Sequence, residues 1–538
     1  MNIFKARDLI ASSNCWKDFE QALEPLEKQD KGLPFEELTR LHLLSDPIFS
    51  VKITEIWHHT EIPQAVIDEL GLQKPEIGVD LLAKVKDGSY WAIQSKFLQD
   101  RTQNLSYKKL STFFGVTERE ITYSKLSHRL VCTSANGISK KVDQLYSEKL
   151  GYLTSSEFSR LGKDQFDAFR DLLDDQYSAP EPYKPRHHQV IALDKCETFF
   201  KDKKNSRGKI IHPCGSGKSL TGYWISQRLN AEIILIAVPS LHLVRQTLSS
   251  WTREAVANAI DMDWIAVCSD EDVRNSHDPF MRKVDLGIEV DTNPQVIEDF
   301  LKKPTVGNKV LISTYQSGHV VSECCKKLGL CFDLAVFDEA HKTVGQKDKS
   351  FAHLLYDENV KVKKRVFMTA TERQYRGNSD EYISMDDKDI YGTIIDEFSF
   401  KAACEQDPPI LSDYKIVTNV VTKSEIEQLI NNNNFVKPNG ENYTVEADAS
   451  TFASLISLRK LVKEKNLKHV VSFHNSIKRS SDFQKLNDEL TKADSSFGKL
   501  STFHVSGKIS IGERTAELDR FIDAEPSLIT NARCLTEG

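Results

Sequence analysis

Residues 209–219 read KIIHPCGSGKS, and the helical pattern LTGYW follows them directly. An apolar strand, a glycine-containing loop and a helix in this order form the setting in which backbone N–H groups cradle phosphate. The full pattern of such a loop has a glycine at position 212, where this chain has a histidine. A stretch this short also occurs as an ordinary turn, so its meaning depends on the rest of the chain.

The residues of this loop suit the binding of a nucleoside triphosphate. Gly215 and Gly217 let backbone N–H groups turn toward phosphate oxygens. Lys218 adds a positive charge near the β- and γ-phosphates, and the hydroxyl of Ser219 can ligate Mg²⁺. We therefore expect ATP and Mg²⁺ as cofactors, in contact with Gly215, Ser216, Gly217, Lys218 and Ser219.

A second apolar strand delivers two adjacent acids. Residues 334–341 read LAVFDEAH, so this strand ends at Asp338 and Glu339. Ligands of open α/β sheets bind at the carboxyl ends of the strands. We predict that Asp338 holds Mg²⁺ through water, and that Glu339 orients and deprotonates the water that attacks the γ-phosphate.

The length and patterning of the chain indicate several domains. Its 538 residues exceed what one ordinary core can organise. From about residue 185 to 405, short apolar runs alternate with helical patterns, which is typical of a parallel sheet covered by helices. Prolines within residues 177–186 and at positions 408 and 409 indicate boundaries. The predicted fold class is α/β with several domains.

Composition adds three expectations. The net charge of −7 gives no general attraction to phosphate, so a nucleic acid must be bound by local Lys/Arg clusters. The ten cysteines form no CxxC pair and no zinc-ligand spacing, so we expect reduced core thiols. No apolar run approaches the roughly 18–20 residues that span a bilayer, and the N-terminus lacks a signal-peptide pattern, so we expect a cytoplasmic protein.

The loop followed by Asp338-Glu339-Ala340-His341 resembles the DEAH-box form of superfamily 2 helicases, and the resemblance extends over most of residues 185–538. It implies two RecA-like domains that form an ATP-driven nucleic-acid motor. It also implies an adenine contact from Gln189, nucleotide binding by His341, and coupling of the ATP state to domain closure through Thr369 and Thr371.

Shorter segments follow in the order of the same family. Residues 238–240 and 313–316 resemble segments that touch the nucleic-acid backbone, and residues 472–475 and 530–533 resemble strand ends of the second RecA-like domain. In the family, an arginine-rich element comes after the motif in which residue 538 falls. We therefore expect an incomplete second domain and impaired hydrolysis in the chain as given.

The front of the chain contains a hairpin pattern with polar ends. The segments GVDLLAKV and YWAIQSKF flank a turn at residues 86–89, so Asp80 and Lys96 can meet across the ladder. An Asp that ligates Mg²⁺, a neighbouring acid or amide that shares the ion, and a Lys that positions and activates water suffice for phosphodiester hydrolysis. A plain hairpin with exposed polar ends is the alternative.

This pattern resembles the Mrr-like branch of the PD-(D/E)xK nucleases, in which Gln94 would replace the second acid. The resemblance implies a further catalytic and metal-binding acid on an upstream helix. We favour Glu36 for that acid, and Glu37 stays open as the alternative. For the adjacent His58 and His59 we expect a structural role, because neighbouring residues of a strand point to opposite faces.

The whole arrangement resembles the N-terminal half of Type ISP restriction enzymes. It implies a Mrr-like nuclease domain at 1–150, a linker at 151–184, a first RecA-like domain at 185–405 and a second, incomplete one at 406–538. The implied function is an ATP-dependent translocase on double-stranded DNA, coupled to a Mg²⁺-dependent endonuclease in restriction or defence. In that family, methyltransferase and target-recognition domains follow as further partners. The alternatives are a DNA remodeller with a non-cleaving clamp, and a DNA-binding fragment without turnover.

Overall fold

The computed structural model divides the chain into two compact units, of which the first ends at Asp413 and the second begins at Tyr414. The predicted boundary near residue 406 thus lies a few residues before the observed one. Among the described residues, no helix is long and apolar enough to cross a membrane. The structure describes residues 1–73, 78–146, 148–268, 281–304, 307–346, 350–375, 382–433, 445–493, 498–507 and 509–532.

The front domain is a five-stranded mixed sheet with helices on it. Its strands are β1 (Ile53–His58), β2 (Leu81–Val85), β3 (Tyr90–Lys96), β4 (Leu126–Thr133) and β5 (Leu150–Leu153). They lie in the order of their numbers, with β1–β2 and β2–β3 antiparallel and β3–β4 and β4–β5 parallel. The predicted hairpin is therefore β2 and β3, and its turn is closed by a hydrogen bond from the Val85 amide to Ser89 O (2.9 Å).

Ten α-helices accompany this sheet in the part of the chain that the structure describes. They are α1 (Ile3–Ala11), α2 (Trp16–Leu23), α3 (Gly32–Ser45), α4 (Pro47–Ser50), α5 (Gln64–Leu70), α6 (Ser111–Thr117), α7 (Glu120–Lys125), α8 (Lys140–Leu145), α9 (Ser155–Phe158) and α10 (Lys163–Leu173). Helix α3 buries Phe35, Leu38 and Leu41, which recur at helical spacing and face the core. It ends where Asp46 caps α4, whose first residue is Pro47.

The front domain continues beyond the predicted limit at residue 150. Strand β5 is the edge of the sheet, and the Trp16 amide donates to Leu161 O (2.9 Å). Arg170 on α10 donates to the carbonyl oxygens of Ala11 and Ser13. Residues 151–173 are thus packed parts of the domain and not a linker, and regular structure stops only after Leu173.

The second part of the first unit is a seven-stranded sheet. The strands of this region are β6 (Arg207–Ile211), β7 (Ile233–Val238), β8 (Met262–Val267), β9 (Asn308–Thr314), β10 (Cys331–Phe337), β11 (Gly345–Gln346), β12 (Lys361–Thr369), β13 (Tyr382–Ile383) and β14 (Thr393–Glu397). The large sheet is parallel throughout, in the order β14-β6-β12-β10-β7-β9-β8, and β11 pairs with β13 separately. Its central strands are buried on both faces, which explains their unbroken apolar runs.

Helices cover this sheet and connect its strands. They are α11 (His187–Lys201), α12 (Lys218–Arg228), α13 (Leu241–Ala257), α14 (Pro294–Lys302), α15 (Gly318–Leu328), α16 (Lys388–Tyr391) and α17 (Phe400–Cys404). The loop after β6, the acids after β10 and the end of β12 all lie at the carboxyl edge of the sheet. The order of strands therefore brings the predicted nucleotide-binding motifs to one edge.

The second unit contains a three-stranded parallel sheet. Its elements are α18 (Lys423–Asn433), α19 (Val445–Lys465), β15 (His469–Phe473), α20 (Ile477–Ala493), β16 (Ser501–Val505), α21 (Ile511–Asp523) and β17 (Ser527–Asn531). The strands lie in the order β15-β17-β16. The family-like segments at 472–475 and 530–532 lie at the carboxyl ends of β15 and β17, as their resemblance to strand ends predicts. Residue 533 of the last family-like segment lies outside the described residues.

Candidate active sites

Asp80 lies at the junction of the hairpin strands. Its amide donates to Ile93 O (3.1 Å), which fixes the residue just before β2 begins. Its Oδ2 accepts hydrogen bonds from the Ser95 amide (2.8 Å), from Lys96 Nζ (2.9 Å) and from the side-chain amide of Gln94. The structure thus brings together the three residues that the hairpin pattern singled out.

Glu36 on α3 faces the same place. Helix α3 is tied to β3 by a hydrogen bond from Ser95 Oγ to Thr39 Oγ1 (3.0 Å). Burial and the negative charge of Asp80 raise the pKa of Glu36 to about 7, although Lys96 and His58 oppose this shift. Among the described residues, the Glu36 carboxyl group makes no hydrogen bond or ion pair. It is an uncommitted acid beside Asp80.

Glu37 is committed elsewhere. Its side chain is fully buried and accepts hydrogen bonds from Arg40 Nε (2.7 Å), Arg7 Nε (2.8 Å) and His58 Nε2 (2.6 Å). Burial alone would raise the pKa of Glu37, but the contacts with Arg40 and His58 outweigh it and hold this pKa well below its usual range. Of the two acids that the sequence left as candidates, the geometry favours Glu36 as a metal ligand. Glu37 and His58 instead pair with each other and stabilise the domain.

The acidic pair suits a divalent cation. Mg²⁺ prefers carboxylate and carbonyl oxygens and is usually held by one or two carboxylates. Asp80 Oδ1 accepts no hydrogen bond within the described ranges. Burial and then the negative charge of Asp80 raise the pKa of Glu36, and a cation between the two groups would relieve their repulsion. The residues present therefore fit the expected Mg²⁺ ion.

The loop after β6 has the backbone that phosphate binding requires. Gly215 and Gly217 have φ values of +81° and +86°, a region that other residues rarely adopt. A Cβ atom at Gly217 would also lie 2.8 Å from Gln189 Nε2. The hydroxyl of Ser219 is buried and has no hydrogen-bond partner in the described parts of the chain. Such an orphaned oxygen beside Lys218 fits a metal-bound triphosphate.

The two acids after β10 stand opposite this loop. Lys218 Nζ lies 3.3 Å from Glu339 Oε1. Burial and the neighbouring Glu339 raise the pKa of Asp338 to about 6. Burial also acts to raise the pKa of Glu339, but His341 and Lys218 outweigh it and lower this pKa below its ordinary value. Glu339 is therefore an ionised carboxylate at neutral pH, as a general base must be.

A short chain of contacts links these acids to the end of β12. His341 Nδ1 lies 3.3 Å from Glu339 Oε2 and 3.1 Å from Thr369 Oγ1. Thr369 Oγ1 in turn accepts from the Thr371 amide (3.3 Å). The structure thus joins His341, Thr369 and Thr371 in one line of contacts that begins at Glu339.

Two family models match successive parts of the chain. Residues 44–168 match the one described as restriction endonuclease, and residues 182–374 match the one described as Type III restriction enzyme, res subunit. In sequence, the chain joins a region similar to restriction endonucleases to a region similar to the res subunit of Type III restriction enzymes. The nuclease match extends past residue 150, in agreement with the packing of β5 and α10.

Individual proteins are similar to different shares of the chain. Two curated relatives, both called "Probable helicase A859L", come from African swine fever virus isolates Tick/Malawi/Lil 20-1/1983 and Pig/Kenya/KEN-50/1950. Each is 26% identical over 206 residues, which is 38% of this chain and 21% of the relative. The match thus spans about a fifth of the length of these relatives.

One solved structure shares the fold over nearly the whole chain. The "ATP-dependent Type ISP restriction-modification enzyme LlaBIII bound to DNA" matches with a TM-score of 0.77 and 24% identity, over 98% of this chain and 34% of that one. A nuclease-deletion mutant of the Type ISP enzyme LlaGI, in complex with a DNA substrate mimic, matches 46% of this chain and 22% of its own, with 29% identity and a TM-score of 0.34.

Gln189 of the helicase domain contacts the phosphate loop directly. Its Oε1 accepts from the Arg186 amide (2.9 Å), and its Nε2 donates to Gly217 O and Thr221 Oγ1 (both 3.2 Å). The amide is engaged at both ends, so an adenine would compete with contacts that the protein already makes.

Two features of the helicase domain were missed by sequence reasoning. Both polar atoms of the Gln316 side chain are buried without a partner among the described residues, in a segment predicted only as a whole to touch nucleic acid. His212, noted only as a departure from glycine, is fully buried and pairs with Asp396. A histidine where the pattern expects glycine was the available signal for the second feature.

Proposed function

We propose that this protein is an ATP-driven DNA translocase whose front domain is a Mg²⁺-dependent endonuclease acting in restriction or defence. The observation that carries the proposal is the presence of two separate sites in one chain. Asp80, Gln94, Lys96 and Glu36 meet in the nuclease domain, and Lys218 and Ser219 stand opposite Asp338 and Glu339 in the helicase domain. The similar Type ISP enzyme LlaBIII is bound to DNA in its structure, which supports DNA as the substrate, and we propose that this DNA is double-stranded.

In the helicase site, the chain would hold ATP and take a proton from water. Lys218 and the amides around Gly215 and Gly217 would bind the phosphates, and Ser219 and Asp338 would hold Mg²⁺. Bound Mg²⁺ would neutralise charge on the phosphates. Glu339 would accept the proton of the attacking water, a role that its lowered pKa supports.

In the nuclease site, the chain would position water against a DNA phosphate. Asp80 and Glu36 would hold Mg²⁺, which supplies Lewis-acid activation of the phosphate and of water. Gln94 keeps Asp80 in place through its side-chain amide. Lys96, 2.9 Å from Asp80 Oδ2, would orient the water or offset charge that develops on the phosphate.

The motor assignment is tested by ATP hydrolysis with and without double-stranded DNA. In line with the impaired hydrolysis expected from the sequence, the parent should hydrolyse ATP slowly, at a rate that DNA raises. Lys218→Ala should show only background hydrolysis, because the phosphates lose their charge partner. Glu339→Gln should still bind ATP but not hydrolyse it, since an amide cannot take a proton from water. ATP hydrolysis by Lys218→Ala at the parental rate would contradict the proposed motor function.

A further inference from the structure

The residue that replaces the usual first glycine of the phosphate loop is anchored on two sides. The His212 amide donates to Thr369 O (2.9 Å), which ties the end of β6 to the end of β12. Its ring is fully buried, and His212 Nε2 lies 2.7 Å from Asp396 Oδ2 on β14. The second oxygen of Asp396 pairs with Lys195 Nζ at 2.6 Å. The imidazole ring of His212 fills a space that a glycine would leave empty, and its contact with Asp396 holds the ring there.

The same cluster reaches the middle of the loop. His188 Nε2 lies 3.0 Å from Ser216 O, and the His188 ring stacks on Phe398 with 4.6 Å between ring centroids. The rings of His188 and His212 lie 5.8 Å apart. We call the residues of this set the under-loop cluster: His188, Lys195, His212, Asp396 and Phe398. It connects α11, β6 and the segment from β14 to Phe398 directly beneath the loop.

Gln189 is a further support of the loop, through its contact with Gly217 O (3.2 Å). Cys214 and Gly215 at its tip are exposed, and two of its glycines adopt left-handed backbone conformations. Burial would raise the pKa of Asp396, but His212 and Lys195 outweigh it and lower this pKa, so the carboxylate stays ionised at neutral pH. A buried, ionised acceptor at a short distance fixes the orientation of an imidazole ring strongly.

We infer that His212 and Asp396 form a positioning pair that holds the phosphate loop in its nucleotide-binding shape, in place of the glycine that the motif usually has. The inference rests on the proposed ATP site. Neither residue needs to touch the nucleotide. They act through the backbone that runs from His212 to Lys218, and His188 holds the same backbone at Ser216 O.

The test measures the affinity of a fluorescent ATP analogue in Mg²⁺ for the parent chain and its variants. We expect Asp396→Ala to weaken binding about tenfold or more, because the buried imidazole loses a charged partner. Asp396→Asn should weaken it less, since the amide keeps a hydrogen bond to His212.

The matched control is Asp333→Ala. The Asp333 carboxylate accepts hydrogen bonds from the backbone amides of Glu232 and Ile233 (3.0 and 2.9 Å) and pairs with Lys363 (2.7 Å). It lies near the start of β10, whereas the phosphate loop lies at the carboxyl ends of the strands. This variant should lose thermal stability but keep the parental affinity for the analogue. If Asp333→Ala loses as much affinity for the analogue as Asp396→Ala, the loss in Asp396→Ala reflects only lower stability of the domain. That result would overturn the inference.

The double variant His212→Gly with Asp396→Ala separates a pair from two independent residues. If the two residues act together, the double variant should bind the analogue no more weakly than whichever of the single variants His212→Gly and Asp396→Ala has the lower affinity. Parental affinity in both Asp396→Ala and Asp396→Asn would overturn the inference and leave the ATP site intact. If the parent itself binds no better than Lys218→Ala, the proposed ATP site fails and this inference fails with it.

Discussion

Glu36 and Glu37 are neighbours on one helix, yet their carboxyl groups meet opposite surroundings. Glu36 lies beside Asp80 with a pKa raised to about 7, whereas Glu37 lies among Arg40, Arg7 and His58 with a lowered pKa. A group with a raised pKa is protonated below that value. Glu36 therefore carries its full negative charge only above about pH 7, where Mg²⁺ can use it.

The nuclease should accordingly become more active as the pH rises. We expect the rate of plasmid nicking at limiting Mg²⁺ to increase about tenfold between pH 6 and pH 8. More Mg²⁺ should move the midpoint to lower pH, because the ion favours the ionised form of Glu36. A flat profile at limiting Mg²⁺ would contradict the assignment of Glu36 to the metal.

Removing the two charges should separate activity from stability. Glu36→Gln should abolish nicking and leave the melting temperature near that of the parent. Glu37→Gln should destabilise the domain by about 3 kcal/mol or more, since Arg40 and Arg7 lose their common partner. Thermal melting and nicking of both variants check this, and a stable, fully active Glu37→Gln would contradict it.

Contacts between residues that are close in the sequence could be predicted, whereas contacts between residues that are far apart in the sequence could not. Asp80 and Lys96 could be joined because a short hairpin fixes which residues meet. His212 and Asp396 are 184 positions apart, and their contact exists only because β14 lies beside β6 in the sheet. Neither the hydrophobic periodicity of the segments nor the spacing of the motifs indicates which strands lie side by side.

The elements of the helicase domain follow from the burial of its strands. Strands covered on both faces need continuous apolar runs, so β7, β9, β10 and β12 could be predicted from the sequence. The extent of the nuclease domain could not. Strand β5 has only four residues, and its place at the sheet edge depends on pairing with β4, which no local pattern encodes.

The phosphate loop offers a prediction about backbone conformation. Gly217→Ala should weaken ATP-analogue binding at least about tenfold, because an alanine is strained at a φ of +86° and its Cβ would press on Gln189. Gly88→Ala is the matched control: its φ is +88°, it lies in the hairpin turn of the nuclease domain, and no atom lies within 4 Å of the added Cβ. Comparable strain there should leave nucleotide affinity unchanged.

The nuclease and helicase domains of the first unit share partly buried contacts. Arg245 on α13 pairs with Glu157 of the nuclease domain (2.9 Å), and His42 on α3 lies 3.3 Å from the other oxygen of Glu157. A Cβ at Gly287 would lie 2.9 Å from Tyr152 O, so the two backbones approach closely. The helix that carries Glu36 thus takes part, through His42, in the contact between the domains.

This contact predicts a pH-dependent loss of stability. Burial would raise the pKa of Glu157, but Arg245 and His42 outweigh it and lower this pKa to about 2. The pair therefore stabilises the fold above the ordinary Glu pKa, and its contribution is lost as the pH falls toward 2. Arg245→Ala should cost about 1–3 kcal/mol at pH 7, and the difference from the parent should narrow below about pH 4.5.

Thermal unfolding checks this prediction, with Lys86→Ala as the control. Lys86 pairs with Asp261 at 2.6 Å across the same contact, but these side chains are more exposed (39% and 49%) than those of Arg245 and Glu157 (17% and 23%). Its removal should cost less than about 1 kcal/mol. Equal losses in the two variants would mean that burial of the Arg245 pair contributes nothing.

The central claim is that one chain holds a nuclease site and a motor site that work independently in their chemistry. Mg²⁺-dependent nicking of covalently closed plasmid DNA by Asp80→Ala and Lys96→Ala, with ATP hydrolysis measured in the same samples, tests it most directly. We predict that both variants nick DNA no faster than background and hydrolyse ATP like the parent, because both substituted residues lie in the nuclease domain. Nicking by both variants at the parental rate would contradict the claim and leave the front domain as a DNA clamp.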